Sequence, residues 1–266
     1  MTVLNRILAT KRDEVTMLRR PQTRSLLRGQ ALDAPPPRDF RGAIRRADHH
    51  PGLIAEIKRR SPSKGDLALD LDPGLLAVEY EAGGATALSV LTDAPYFGGA
   101  IADLQAARDA STLPVLRKDF MIDAVQVYEA RAIGADAILL ILAALSDDTL
   151  VQELTELAHA LGMAVVVEAH DEAEVKRGIE QGVEILGVNA RHLGTFAEDL
   201  DGAAALIAHI PPSTFAIAES AIRTPDDAQR MAAAGFDALL VGEALVRSDD
   251  ARTLAAALVA PLVSPR

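Results

Sequence analysis

The sequence predicts an α/β fold, a (β/α)8 TIM barrel with an N-terminal helical extension. From residue 53 onward, eight short apolar runs alternate with amphipathic helical segments. Consecutive runs lie roughly 20 to 35 residues apart, the spacing of βα units in a barrel of ~250 residues. Polar residues recur at the C-terminal ends of many runs, and no GxGxxG fingerprint follows the first run. Both observations favour a closed barrel over an open doubly wound sheet.

The composition limits the class of protein and its partners. With 266 residues and 49% hydrophobic content, the chain can bury a full core. We expect one domain over residues 1–266, with residues 1–50 as the extension. The net charge of −11 disfavours a nucleic-acid surface, and no apolar run approaches the ~20 residues that span a membrane. The absence of cysteine and of a signal-peptide pattern is compatible with the cytoplasm, where we expect a monomer or weak homo-oligomer.

The N-terminal extension is predicted to be helical. Apolar residues between Leu4 and Leu18 have helical spacing, and Pro21 is expected to end that helix. A connector with three prolines then leads to a short second helix near Phe40. We expect the basic residues of the extension to lie on a solvated face.

The barrel elements follow from apolar runs and from their punctuation. The eight predicted strands are residues 53–57, 87–91, 114–117, 137–142, 164–168, 185–188, 215–218 and 238–241. Asp72-Pro73 and Thr224-Pro225 predict helix starts, because a capping side chain precedes a proline at the first helical position. Three glycines predict helix ends: Gly162, Gly182 and Gly235.

The first strand carries two charges on a face that is otherwise apolar. Ile54, Glu56 and Lys58 alternate with Leu53 and Ala55, so the first three side chains share one face. Burying a charge without a partner is heavily penalised, so these two groups should reach a polar site. A structural ion pair at a strand end is the alternative.

Further polar side chains follow the other strands, and in a barrel all of these strand ends meet at one mouth. At the strand ends, the predicted set comprises Glu56, Lys58, Lys118, Glu168, Asn189, Arg191, Glu219, Ser220, Gly242 and Glu243. A lysine and a glutamate held opposite each other can act as general acid and general base. The last two loops lie where barrels commonly bind phosphate through backbone N–H groups.

The histidines do not predict a metal site. No HxH or HExxH spacing occurs among the six. His170 is in phase with Glu168, and we interpret it as a rim residue rather than a catalyst. The pair His49-His50 is expected in a solvated loop.

A set of motifs, in order and spacing, resembles one family. These are IAEIKRRSPSKG, LSVLTDAPYFGG, LPVLRKDF, GADAILLI, MAVVVEAH, GVNARHL, AESAIRT and ALLVGEALVR. They are similar to the motifs of indole-3-glycerol phosphate synthases, the (β/α)8 enzymes of tryptophan biosynthesis. The resemblance implies ring closure of 1-(2-carboxyphenylamino)-1-deoxyribulose 5-phosphate, a small anionic substrate, with loss of carbon dioxide and water and without a cofactor.

The resemblance also implies residue roles. Lys118 would be the general acid of condensation and Glu168 the general base of dehydration, with Glu56 and Lys58 orienting and polarising the substrate. Asn189 and Glu219 would hold the developing intermediates. The anionic groups of the substrate would be positioned by Arg191, Ser61, Ser220, Gly242 and the neighbouring Ala221 and Glu243. The anthranilate ring would lie against Phe97, Phe120 and Leu139.

Two departures from the family pattern concern alanines. Ala190 stands where the family usually has Asn or Ser, out of phase with Asn189, so its effect should be small. Ala221 stands where the family usually has glycine, and a positive φ there would cost of order 1 kcal/mol. We therefore expect an active enzyme in which phosphate affinity is the property that Ala221 puts in question. Residues 61–65 are interpreted as a mobile flap over the mouth.

Two alternative functions remain at this point. One is another phosphate-binding barrel enzyme, such as a phosphoribosyl isomerase. The other is a non-catalytic paralogue that binds the sugar phosphate or scaffolds a pathway partner.

Overall fold

Eight parallel strands form a closed barrel in the residues that the computed structural model describes, 2–45, 50–192 and 196–260. Each strand pairs with the next along the chain, and the eighth pairs with the first. They are β1 (Gly52–Ile57), β2 (Ala87–Leu91), β3 (Val115–Lys118), β4 (Ala137–Ile141), β5 (Ala164–Ala169), β6 (Ile185–Asn189), β7 (Phe215–Glu219) and β8 (Ala238–Val241). The predicted barrel is confirmed, and each predicted strand end lies within one residue of the observed one.

Helices follow the strands and cover the barrel. The α-helices are α1 (Val3–Leu18), α2 (Pro21–Asp33), α3 (Phe40–Ala43), α4 (Pro73–Ala82), α5 (Ala94–Phe97), α6 (Ile101–Ala110), α7 (Ala124–Ala132), α8 (Asp148–Ala160), α9 (Glu172–Glu180), α10 (Leu200–Leu206), α11 (Pro225–Ala234), α12 (Glu243–Val246) and α13 (Ala251–Leu258). Within the described ranges, no helix is long and apolar enough to cross a bilayer.

The two faces of each strand enter different cores. On β1, Ile54 joins the cluster inside the barrel, where Leu116, Leu139 and Ile217 also lie. Leu53 joins the cluster between the strands and the outer helices. The predicted alternation is therefore confirmed, and it aims Glu56 at the barrel interior, in phase with Ile54.

Side-chain caps and glycines set the helix boundaries as predicted. The Asp72 carboxylate accepts from the backbone of Gly74 at 2.8 Å, and Thr224 forms a reciprocal capping box with Asp227. At the other ends, Gly162 and Gly235 adopt φ values of 79° and 119°, which favour glycine.

The predicted stop before Pro21 is confirmed, since α1 ends at Leu18, but the connector predicted after it was wrong. Pro21 is the first residue of α2, a helix that the sequence pattern did not predict. The missing N–H and fixed φ of proline suit a helix start as well as a stop. The α2 helix packs against α7, and Arg131 of α7 donates to the Ala34 carbonyl at 3.0 Å.

The prediction of a solvated basic face was wrong at Lys11. The side chain of Lys11 is buried, and its Nζ lies 3.0 Å from Asp93 and 2.9 Å from Asp119. Burial opposes the charge, but these carboxylates outweigh it and raise the pKa of Lys11. Helical spacing identified the apolar stripe of α1 but not the lysine that docks with it.

Candidate active site

The C-terminal ends of the strands surround one cavity at the barrel mouth, and every predicted site residue lines it. These residues are Glu56, Lys58, Ser61, Phe97, Lys118, Phe120, Leu139, Glu168, Asn189, Arg191, Glu219, Ser220, Ala221, Gly242 and Glu243. Their roles are predictions, but their convergence is observed. Strand register explains it, since Lys118, Asn189 and Glu219 are each the last residue of a parallel strand.

Lys118 is at the centre of the polar groups. Its Nζ lies 3.0 Å from Glu168 Oε2 and contacts Glu219 Oε2. Asn189 Nδ2 donates to the other oxygen of Glu168 at 3.1 Å. One ammonium group is therefore shared by two carboxylates.

This sharing separates the proton affinities of the two carboxylates. Burial disfavours charge on Glu168, but Lys118 and His170 outweigh burial and hold its pKa well below the usual range. Burial also raises the pKa of Glu219, and the nearby charge of Glu168 raises it further. Lys118 offsets these effects only in part, so the pKa of Glu219 is raised to about 7. The pKa of Lys118 is lowered by burial but raised overall by the surrounding carboxylates. At neutral pH the site thus holds a charged lysine, an ionised Glu168 and a Glu219 poised to take up or release a proton.

Two glycines make room for the carboxylates. A Cβ atom on Gly187 of β6 would overlap Glu219 Oε1, and a Cβ on Gly242 would overlap Glu56 Oε1. Gly242 was predicted to let the backbone approach phosphate closely. In the structure, its missing side chain also leaves room for the Glu56 carboxylate. Gly187 was not predicted, because a glycine inside a strand carries no direct sign of what it accommodates.

The charges of β1 form an ion pair inside the cavity. Lys58 Nζ contacts Glu56 Oε1, and both side chains are largely buried. The two interpretations left open by the sequence are therefore compatible, since the pair exists and also lines the site.

A ring of charged side chains lies at the outer edge of the mouth, on the residues that follow β1, β6, β7 and β8. Arg191 donates to Ser63 Oγ at 2.5 Å and to Glu198 Oε1 at 2.6 Å, and lies 3.5 Å from Glu243. Glu198 also contacts Arg223 and lies 3.9 Å from Lys64. Within the segment interpreted as a flap, residues 61–63 thus line the mouth, and the mobility of the segment stays a prediction.

Sequence reasoning missed several lining residues. Glu198 and Arg223 lie beyond the strand ends, where no periodicity indicates a direction, although Arg223 follows β7 by only four positions. On α1, Val3, Leu4 and Ile7 line the cavity. Their helical spacing predicted a buried stripe but not which surface that stripe covers.

The apolar wall comes from separate elements. Phe97 of α5 and Phe120 after β3 have ring centroids 6.0 Å apart, tilted by 37°. Leu139 of β4 is buried in the barrel interior and lines the same cavity. Such a wall suits a flat aromatic group.

The turn after β7 is strained. Ser220 and Ala221 have φ values of 66° and 60°, in the left-handed region that disfavours non-glycine residues. The condition under which an alanine at position 221 would be costly, a positive φ, is thus met. Ala190, the other departure, packs in the outer core cluster, away from the side chain of Asn189.

The interpretation of His170 as a rim residue was wrong. Its side chain is 6% exposed, and its Nε2 lies 3.1 Å from Glu168 Oε1, behind the cavity wall. His50 is half-buried, with Nδ1 2.8 Å from the Val259 carbonyl oxygen, so it is not simply solvated. Its neighbour His49 lies outside the described residues. Among residues 2–45, 50–192 and 196–260, no group of three acidic or histidine side chains could hold a metal ion.

Comparisons with known proteins agree with this geometry. A family model described as indole-3-glycerol phosphate synthase matches residues 4–258. The protein of that name from Laribacter hongkongensis is 48% identical over 251 residues, which cover 93% of this chain and 95% of that protein. The one from Beutenbergia cavernae is 45% identical over 265 residues, covering 100% of this chain and 97% of that protein.

The chain belongs to the indole-3-glycerol phosphate synthase family. This confirms the resemblance inferred from the motifs.

More distant solved structures share only the fold with this family member. Thiamine phosphate pyrophosphorylase from Pyrococcus furiosus has a TM-score of 0.59 at 18% identity, covering 78% of this chain and 93% of that chain. The N-acetylmannosamine-6-phosphate 2-epimerase from Clostridium perfringens has the same TM-score at 17% identity, covering 75% and 89%.

Proposed function

We propose that the chain catalyses the indole-3-glycerol phosphate synthase reaction. The substrate would be 1-(2-carboxyphenylamino)-1-deoxyribulose 5-phosphate, and the products would be indole-3-glycerol phosphate, carbon dioxide and water. The observation that carries the proposal is Lys118 held between Glu168 and Glu219 at the mouth of a barrel of this family.

Lys118 is proposed to act as the general acid in ring closure. The ring carbon that bears the carboxylate attacks the ketone carbon, and Lys118 donates a proton to the ketone oxygen as it becomes a hydroxyl group. The bond between the ring carbon and the carboxylate then breaks and carbon dioxide leaves. The electron pair of that bond stays with the ring and restores its aromaticity. The raised pKa of Lys118 keeps the donor protonated at neutral pH before the substrate arrives.

Glu168 is proposed to act as the general base in dehydration. The new hydroxyl group takes a proton from the Lys58 ammonium group and leaves as water, while Glu168 takes the proton that the neighbouring carbon must lose to form the indole double bond. Asn189 and Glu219 hold the intermediates, while Glu56 and Lys58 orient and polarise the substrate. These groups are preorganised by strand ends, so little reorganisation is needed during the reaction.

The anionic and aromatic ends of the substrate are assigned to different walls. Ser220, Ala221, Gly242 and Glu243 form the proposed phosphate end, where backbone N–H groups are the donors. Arg191 and Ser61 position the carboxylate or phosphate. The aromatic ring is assigned to a wall of Phe97, Phe120 and Leu139. The scheme uses acid and base groups that the chain supplies, and we propose that it operates in the cytoplasm.

A turnover assay tests the proposal. The wild type should form a product with indole fluorescence from the substrate, and Lys118→Met should lower kcat by about 100-fold or more. Lys176→Met is the matched control, because Lys176 is exposed and pairs only with the surface residue Glu172 in the described structure. A wild type without product, or full turnover by Lys118→Met, would overturn the proposal.

A further inference from the structure

We propose that His170 is a positioning residue for Glu168, and that Glu174 fixes the His170 ring. The inference rests on the proposed function, in which Glu168 is the general base. It concerns groups outside the cavity that the reaction scheme does not use.

The contacts form a line from the cavity wall to the surface. His170 Nε2 lies 3.1 Å from Glu168 Oε1, and His170 Nδ1 lies 3.0 Å from Glu174 Oε2. The backbone N–H of His170 donates to the same Glu174 oxygen at 2.9 Å. Glu174 thereby holds both the main chain and the ring of His170.

Rigid elements support the line at both ends. Glu168 belongs to β5, and Glu174 belongs to the first turn of α9. Asp171 caps this helix, with its carboxylate accepting from the Glu174 N–H at 2.9 Å. His170 lies between the two elements, so its ring orientation is determined by both.

The two ring nitrogens face two carboxylates, which favours the doubly protonated ring. A neutral imidazole donates through only one nitrogen, whereas an imidazolium donates through both. Burial opposes the charge on His170, but the close contacts and charges of Glu168 and Glu174 outweigh it and raise its pKa to about 10. The contact with Glu168 is an ion-pair contact, and the hydrogen bond of the ring is the one with Glu174. His170 is thus a buried cation at neutral pH.

His170 and Lys118 contact different oxygens of Glu168. Lys118 is on Oε2, and His170 shares Oε1 with the amide of Asn189. When Lys118 gives its proton to the substrate, it also gives up its charge, and Glu168 loses one of its two cations. His170 keeps Glu168 ionised and oriented through that step, ready for dehydration. In the described part of the chain, Glu219 also faces Glu168, and its charge opposes the ionisation of Glu168.

The pH profile of kcat tests this role. Removing the cation raises the pKa of Glu168, so His170→Asn should move the acid limb of the kcat profile upward by about one pH unit. It should lower kcat about tenfold or more at neutral pH, with KM changed about twofold at most. Glu174→Gln should move the limb in the same direction by less, because His170 remains but holds its proton less tightly.

Two further measurements separate this role from folding. His159→Asn on the exposed face of α8 is the matched control and should leave the profile unchanged. In wild type, NMR titration of His170 should give a midpoint above ~8, against ~6.5 for a free histidine, and Glu174→Gln should lower it. If His170→Asn fails to fold, the Glu174→Gln profile and titration decide.

The outcomes distinguish this proposal from the proposed function. A wild type that turns over, with unchanged limbs in His170→Asn and Glu174→Gln, overturns the positioning role alone. A wild-type midpoint near ~6.5 also overturns it. A wild type without turnover overturns the proposed function, whatever the titration shows.

Discussion

Lys118, the last residue of β3, reaches across the barrel to contact Glu219, the last residue of β7, four strands away. The contact is possible because side chains fill the interior of an eight-stranded barrel, and a glycine on the neighbouring strand leaves space for the glutamate. It makes the protonation of Glu219 depend on a residue far from it in sequence.

The raised pKa of Glu219 predicts a pH-dependent stability. A carboxyl group with a pKa of about 7 when folded and near its usual value when unfolded stabilises the fold most at low pH. That contribution is lost as pH rises through the folded pKa. Relative to Glu219→Gln, we expect the wild type to lose about 2 to 3 kcal/mol of unfolding free energy between about pH 4.5 and 7. Denaturant unfolding at several pH values measures this, and a constant difference between the two proteins would contradict the raised pKa.

Gly187 is predicted to be required for the position of Glu219. In Gly187→Ala the methyl group would overlap Glu219 Oε1, so the carboxylate that contacts Lys118 must shift from its present position. We expect kcat to fall by about tenfold or more and the melting temperature to fall as well. The control is Gly29→Ala in α2, where the added methyl meets open space. That variant should retain activity and gain up to about 1 kcal/mol. Equal behaviour of the two variants would refute the steric argument.

Ala221 is predicted to weaken phosphate binding. With a φ of 60°, this residue carries strain of roughly 1–2 kcal/mol that glycine would relieve. Ala221→Gly should therefore lower KM without destabilising the fold. The same exchange at Ala160, at the end of α8, should destabilise by about 0.5–1 kcal/mol and leave KM unchanged. An unchanged KM in Ala221→Gly would remove the argument.

Glu198 is predicted to compete with the substrate for the basic groups of the mouth. It contacts Arg191 and Arg223 and lies near Lys64, so an incoming anion must share or displace these partners. We expect Glu198→Gln to lower both KM and the inhibition constant of inorganic phosphate about three- to tenfold. The control, Glu172→Gln on the exposed face of α9, should change neither. Higher values in Glu198→Gln would mean that Glu198 instead orients Arg191 for binding.

Strand periodicity predicted much of the fold and of the site. The period of two placed Glu56, Lys118 and Glu168 on the inner face. The C-terminal ends of parallel strands meet at one mouth for any conformation of the connecting loops. Capping side chains and glycines located helix ends because their chemistry is local.

Features that depend on tertiary contacts were not predicted. Lys11 was expected in solvent because the sequence does not show that Asp93 and Asp119 would meet it. His170 was placed at the rim because the partner that holds its ring, Glu174, becomes its neighbour only when α9 forms. Glu198 lies outside any periodic segment, so no pattern gave its direction.

The balance of carbon dioxide and indole product tests the central claim most directly. With substrate labelled in its carboxyl group, the wild type should release one labelled carbon dioxide for each indole-3-glycerol phosphate formed, and Lys118→Met should lose both products together. Consumption of substrate without carbon dioxide, or carbon dioxide without an indole ring, would contradict a decarboxylating ring closure in this barrel.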